Sequence, residues 1–177
     1  MKMLVVLASL IAPLVAFAGD FTVAPVTITL PKGFEGAQRQ EMQNAVTVGF
    51  TKSSSLAVKP LLQISIYNFG SRLKTINEAE RSAAASKYLL DFLGGVARRR
   101  TDFNRTEPTM LHISRLPAAK LRWTGNVGGI KMVGVMYCFI AGSRVISFHT
   151  QDVGSTPTPA MIEAMGAFEA ASVKLDG

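Results

Sequence analysis

The chain has 177 residues, with 19 Lys and Arg against 12 Asp and Glu, a formal net charge of +7, and a single cysteine. That length suits one ordinary domain with its own core, and one cysteine excludes an intramolecular disulfide framework. The positive balance favours anionic partners such as lipid headgroups, cell-wall polymers or an acidic protein, and is also ordinary for solubility alone.

The first element is a leader. Lys2 gives a charged start, residues 4–17 form an apolar run broken by Pro13, and the run closes on Ala16-Phe17-Ala18 ahead of Gly19. A charged start, a short apolar middle and an Ala-x-Ala end are the parts of a cleavable secretory signal peptide, expected over residues 1–18. A membrane span needs about 20 apolar residues; this run is shorter and meets Asp20 at once. The one cysteine, Cys138, is far from the cleavage point, so no lipid anchor is expected either. Residues 19–177 then form one domain and keep 18 basic against 12 acidic side chains, a net +6, because Lys2 is the only charge in the leader. An exported chain of this size with a single cysteine points to a bacterial periplasmic or secreted protein. The sequon Asn104-Arg105-Thr106 matters only in a eukaryotic secretory path.

Residues 26–30 (VTITL) alternate cleanly and predict a half-buried strand ended by Pro31-Lys32-Gly33. Residues 34–44 are polar and glutamine-rich and read as a loop or short helix. A strand follows over 46–51, a turn at Lys52-Ser53-Ser54-Ser55, and another alternating strand over 62–69, with Leu62, Ile64 and Ile66 opposite Gln63, Ser65 and Tyr67. Three strands in succession suggest a meander. Asn77 with Glu80 forms a capping-box variant that opens a helix. Ala79, Ala83, Ser86, Leu90, Leu93 and Ala97 are its expected buried stripe, and Gly94-Gly95 suggests a bend or early stop.

After a linker holding Pro108 and Pro117, short strands are expected at 110–114 and 120–124, with a turn at 126–129. Residues 130–141 are apolar on both faces: Ile130, Met132, Gly134, Met136, Cys138 and Ile140 on one, Val133, Val135, Tyr137 and Phe139 on the other. Such a strand belongs in the middle of a sheet covered on both sides, or covered on one side by a partner. Residues 141–144 turn it into a hairpin with 145–151. Thr158 and Pro159 cap a final helix striped by Ile162, Met165, Phe168 and Ser172. At about half the necessary length, 130–140 is no membrane span. The expected fold is a single α+β domain around a mainly antiparallel sheet, with the methionines of the last helix near those of the central strand.

The pieces ITLPKGF (28–34) and GNVGGIKMVGVMYCFIAGSRVISFHTQD (125–152), with the closing helix, resemble the PsbP-like fold. The resemblance covers most of residues 19–177 and implies a helix–sheet–helix sandwich. It also implies an exported or peripheral binding or assembly factor, and it carries over no catalytic residue; fold alone does not fix function.

His112 and His149 are the histidines available as ligands or bases. Ser147 shares the strand face of His149, and Asp152 lies three residues on, but a Ser–His–Asp reading needs each group within hydrogen-bond reach in a cleft, and no G-x-S-x-G elbow is present. No H-x-x-x-H or Cys/His spacing predicts a metal, and no cofactor is expected. Cys138, between apolar neighbours, reads as core. Gly125, Gly128 and Gly129 precede a strand, so they do not build a phosphate-cradling loop at a helix N-terminus. The densest charge cluster is Arg98, Arg99 and Arg100 with Arg105 nearby. It can grip phosphate or carboxylate groups on a partner, or simply offset a helix C-terminus in solvent. With only Phe103 adjacent, it does not match a single-stranded nucleic-acid surface.

Together these features predict an exported, soluble, non-enzymatic binding or assembly protein of the bacterial envelope, acting on another envelope or secreted protein. Two other readings stay open: a small periplasmic hydrolase using His149 or His112, and a protein that binds an anionic surface through the basic cluster.

Overall fold

The computed structural model describes residues 19–54, 58–73 and 76–175; the leader expected at 1–18 and the turn residue Ser55 lie outside them. A short hairpin, β1 (Asp20–Val23) and β2 (Val26–Thr29), is joined by β11 (Ser172–Val173) in a three-stranded sheet of order β1-β2-β11. The large antiparallel sheet contains β3 (Phe34–Met42), β4 (Ala45–Lys52), β5 (Leu61–Asn68), β6 (Thr101–Arg105), β7 (Thr109–Ile113), β8 (Leu116–Val127), β9 (Ile130–Ala141) and β10 (Arg144–Val153). Its order is β3-β4-β5-β10-β9-β8-β6, with β7 also pairing β8. The helices are α1 (Glu78–Ala97) and α2 (Pro159–Glu169).

β9 is central and fully paired, between β10 and β8, and its two apolar faces meet two separate cores. Met132, Met136, Cys138 and Ile140 join Leu89 and Leu93 of α1. Val133, Val135, Tyr137 and Phe139 join Met161, Ala164 and Phe168 of α2, and β2 closes the same side through Val26 and Ile28. The sheet is thus covered on both faces, the first of the two arrangements that the sequence pattern of β9 allowed. Cys138 is buried, and burial pushes its thiol well above the ordinary range.

Both helix starts follow their sequence. Asn77 Oδ1 accepts from Glu80 N at 2.9 Å while Asn77 N donates to Glu80 Oε2 at 2.8 Å, a complete capping box. Thr158 Oγ1 accepts from Met161 N at 3.4 Å, with Pro159 in the first helical turn. The far end of α2 is tied to the sheet by Glu169, whose Oε1 accepts from Tyr137 Oη at 2.7 Å and from Lys120 Nζ at 2.8 Å.

Several expectations are corrected. Residues 34–42 are strand β3, paired with β4 from Phe34↔Lys52 to Met42↔Ala45. As an edge strand it is polar and exposed beyond Phe34, so no burial alternation marks it. The meander is therefore β3-β4-β5, and residues 26–29 belong to the small sheet. β6 lies within the segment read as linker. α1 runs through Gly94-Gly95 to Ala97 and buries Ala85, Leu89 and Leu93, one i, i+4 row, leaving Leu90 exposed. α2 turns Ile162 to solvent, 59% exposed, and buries Met161, Ala164 and Phe168. Met161 lies on the opposite side of the sheet from Met132 and Met136, because the even-numbered residues of β9 face α1.

Candidate functional site

On the α1 side the apolar core stops short of β5. α1 packs mainly on β8 and β9 and only grazes β10. Beyond that footprint, the pairing of β5 with β10 sets Ser147 opposite Ser65 and His149 opposite Gln63. These four side chains form a polar quartet on one face, and Ser65, Ser147 and His149 are all buried. Gln63 Nε2 donates to Ser65 Oγ at 3.1 Å, and Ser65 Oγ is also 3.0 Å from Thr47 Oγ1 across the β4–β5 pair. The quartet floors a cleft of about 330 Å³ whose walls are Tyr67, Phe92 and Met136 and whose helix side is Gly95 and Val96. Asp91 and Arg98 stand along the same cleft. Phe92 stacks on Tyr67 with ring centroids 4.6 Å apart, closing one wall, and burial raises the Tyr67 phenol.

Behind the quartet lies an aromatic stack. Trp123 of β8 sits opposite Gly134 of β9 and lies so close that a Cβ on Gly134 would be 2.3 Å from the indole. A side chain there would displace the ring, so the glycine is what admits it. Phe103 lies 5.9 Å and His149 5.8 Å from Trp123 between ring centroids. His149 is 7% exposed and, among the described residues, its Nε2 has no hydrogen-bond partner. Burial, and secondarily the Arg100 charge, hold its pKa down to about 3, so the imidazole is neutral at neutral pH.

The basic cluster divides at this point. Arg100 is drawn inward: its guanidinium lies 4.2 Å from the Trp123 ring centroid, Nη1 donates to Val96 O at 2.7 Å and Nη2 to Gln151 Oε1 at 2.7 Å. It therefore terminates α1 by satisfying a last-turn carbonyl. Arg98 and Arg99 are exposed in the turn after α1, and among the described residues neither makes an ion pair. Arg105, exposed on β6, donates to Glu107 Oε1 at 3.1 Å. It flanks a separate shallow depression of about 130 Å³ shared with Arg122 and Thr106.

The side chains of the hydrolase reading are not brought together as a triad. Ser147 and His149 do share a face, but alternation along β10 puts Asp152 on the other one. There its carboxylate accepts from Thr158 Oγ1 at 2.7 Å and from its neighbour's amide, Val153 N, at 2.7 Å. On the polar face of β10, Ser147 and His149 are both buried. His112 is on β7, with β8 and β9 between it and β10; its imidazole is largely exposed, 3.9 Å from Glu78 Oε1. Among the described residues no three His, Cys, Asp or Glu side chains gather as a metal site, and no helix is long and apolar enough to cross a membrane.

Gln63, Ser65, Tyr67 and Gly95 were not singled out as site residues by the sequence. The alternation of 62–69 does place Gln63, Ser65 and Tyr67 on one face, but nothing local reveals that this face pairs with Ser147 and His149 about eighty residues away.

No protein-family model matches the chain, and no curated protein matches it by sequence. Similar folds occur among solved structures. LpqN of Mycobacterium tuberculosis, described as involved in cell envelope biogenesis, has a TM-score of 0.55 at 12% identity, over 84% of this chain and 82% of that one. A protein from Bacteroides thetaiotaomicron VPI-5482 has a TM-score of 0.54 at 10% identity, over 91% of this chain and 50% of that one, so this chain spans half its length. At these identities the likeness is one of fold: a single α+β domain with a large antiparallel sheet and two helices, shared with an envelope-associated protein.

Proposed function

We propose that the protein is an exported, soluble, non-enzymatic binding or assembly factor of the bacterial envelope that engages another envelope or secreted protein. The observation that carries the binding reading is the separation of Asp152 from His149. With its acid on the opposite face, and with its pKa held to about 3, His149 lacks both the orienting partner and the near-neutral pKa that a general base needs. The signal-peptide pattern of residues 1–18 supports export, and the fold shared with LpqN favours an envelope setting. The PsbP-like resemblance fits the same reading as kinship among exported binding factors. Arg98 and Arg99, exposed beside the cleft, with Arg105 on the neighbouring edge, are the surface proposed to meet an acidic patch of the partner.

The test is capture of a partner from envelope extract followed by affinity measurement with the purified partner. A stoichiometric complex is expected, in an exported form beginning at Gly19 by mass spectrometry. Arg98→Gln, Arg99→Gln and Arg105→Gln together should weaken it several-fold at low salt and less as salt rises, because exposed charges are screened over about 8 Å at physiological ionic strength. Equal affinity of wild type and triple variant at low salt would refute the arginine surface. Binding only to anionic lipid vesicles would replace the protein partner with a membrane surface.

A further inference from the structure

The cleft between α1 and the sheet has a feature that helix stability does not explain. Gly95 is a non-terminal residue of α1, where glycine costs about 1 kcal/mol relative to alanine. Its backbone is ordinary helix, and a Cβ placed on it would meet no heavy atom within 4 Å. No close packing therefore requires glycine. What its missing side chain leaves is room, because Gly95 lines the same cleft as the polar floor.

That floor is under-satisfied. Gln63 and Ser65 are bonded to each other, and Ser65 also to Thr47. Among the described residues His149 Nε2 is buried without a partner. Unpaired buried polar atoms are uncommon in folded proteins because each carries a desolvation cost, and each asks for an explanation. The charges along the cleft have one sign left over. Asp91 is neutralised by Lys87, whose Nζ lies 2.8 Å from its Oδ2, while Arg98 has no acidic partner among the described residues. Arg100 adds a positive field from behind His149. Phe92 and Met136 supply apolar walls. Apolar walls, a few convergent hydrogen-bonding groups and a volume in the range of several hundred Å³ are the composition of a small-molecule site.

We propose that this cleft binds a small organic acid with a single carboxylate. The carboxylate is held by Arg98, the body lies against Phe92 and Met136 in the space left by Gly95, and a polar end reaches Ser147 and the floor. One unpaired guanidinium matches one negative charge. A phosphate dianion would leave charge uncompensated, and a neutral sugar would leave the arginine unused. The site shares Arg98 with the surface proposed above, but its test is read with a small molecule alone, so its failure and the failure of the protein-partner reading are distinguishable.

The test uses 4-hydroxybenzoate as probe, with 4-hydroxybenzamide, inorganic phosphate and glucose as controls, by titration calorimetry and thermal shift on the purified chain. The acid should bind at least about tenfold more tightly than its neutral amide, as a charge-assisted contact requires. Arg98→Gln should bring the acid down to the level of the amide. Gly95→Leu should fill the space and abolish binding while the melting temperature is kept or raised, since leucine is the better helix former; Gly95→Ala, a smaller change, should weaken binding in part. Equal binding of acid and amide, preference for phosphate or glucose, absence of binding by the acid, or unchanged binding in a folded Gly95→Leu variant would each overturn the proposal.

Discussion

The two faces of the large sheet differ in how completely they are covered. On the α2 side, Ile64, Val135, Phe139, Ile146 and Phe148 form a continuous buried surface from β5 to β9, closed by α2 and the small sheet. On the α1 side, Trp123, Met132, Cys138 and Ile140 are buried as deeply under the helix, yet the strip reaching β5 carries Gln63, Ser65, Ser147 and His149. The difference follows the position of the covering layer. Apolar surface is favoured where a second layer removes it from water. α1 sits mainly over β8 and β9, and past its edge the neighbouring strands β10 and β5 carry hydroxyl, amide and imidazole groups. A single sheet thereby combines a closed structural face with a half-open polar one.

The largest test of this contrast is on the closed face. Phe168 stacks on Phe148, centroids 4.7 Å apart, and meets Tyr137 edge-on at 5.8 Å. Phe168→Ala should lower the unfolding free energy by about 3–5 kcal/mol, measured by urea denaturation. A loss as small as that of a surface substitution would mean that α2 is not integral to the core.

The next effect is on the polar face and depends on pH. The unfolded chain protonates a histidine near its ordinary pKa of 6.5, while folded His149 resists until about 3. Its stabilising contribution is therefore intact above pH 6.5 and lost as pH falls from there towards 3, at up to about 1.4 kcal/mol per pH unit. Denaturation of wild type and His149→Gln between about pH 7 and pH 4 should show a shallower slope in the variant. Parallel curves would show that His149 is not held neutral by burial.

The smallest effect sharpens the boundary between the two halves of the α1 side. Gly95→Ala should raise stability by about 1 kcal/mol, since it improves helix propensity where no atom opposes the added methyl. A fall in the denaturation midpoint would mean that the helix lies closer to the sheet there and that the cleft is closed.

Much of this architecture was legible along the chain. The apolar faces of residues 130–141 marked a central strand covered on both sides or on one side by a partner, and β9 is central and covered on both. Asn77 with Glu80, and Thr158 with Pro159, marked helix starts that form as read. The edge strands β3 and β6 were not legible. β3 pairs through its backbone, and an exposed strand with polar side chains on both faces has no period-two signature. The helix stripes were found but misaligned: Leu90 and Ile162 were assigned to the core, although the rows actually buried are Ala85-Leu89-Leu93 and Met161-Ala164-Phe168. Where small or apolar residues fall on more than one face of a helix, as in both α1 and α2, several faces are nearly equally apolar, so the partner surface selects among them.

The candidate site shows the same limit. Sequence alone put Ser147 and His149 on one strand face and clustered Arg98, Arg99 and Arg100 at a helix end. It could not separate Arg100, which stacks on Trp123 and closes the helix, from Arg98 and Arg99, which remain in solvent; that division depends on which side of the turn faces the sheet. What the sequence determined by itself was local: alternation, caps, hairpin turns and the apolar identity of the central strand, all set by neighbours within a few residues. The tertiary structure decided that β5 pairs with β10, that α1 packs mainly on β8 and β9 and only grazes β10, and that a histidine, two serines and a glutamine share one sheltered floor. Those are properties of surfaces meeting across long stretches of chain, where burial belongs to the pair rather than to either segment.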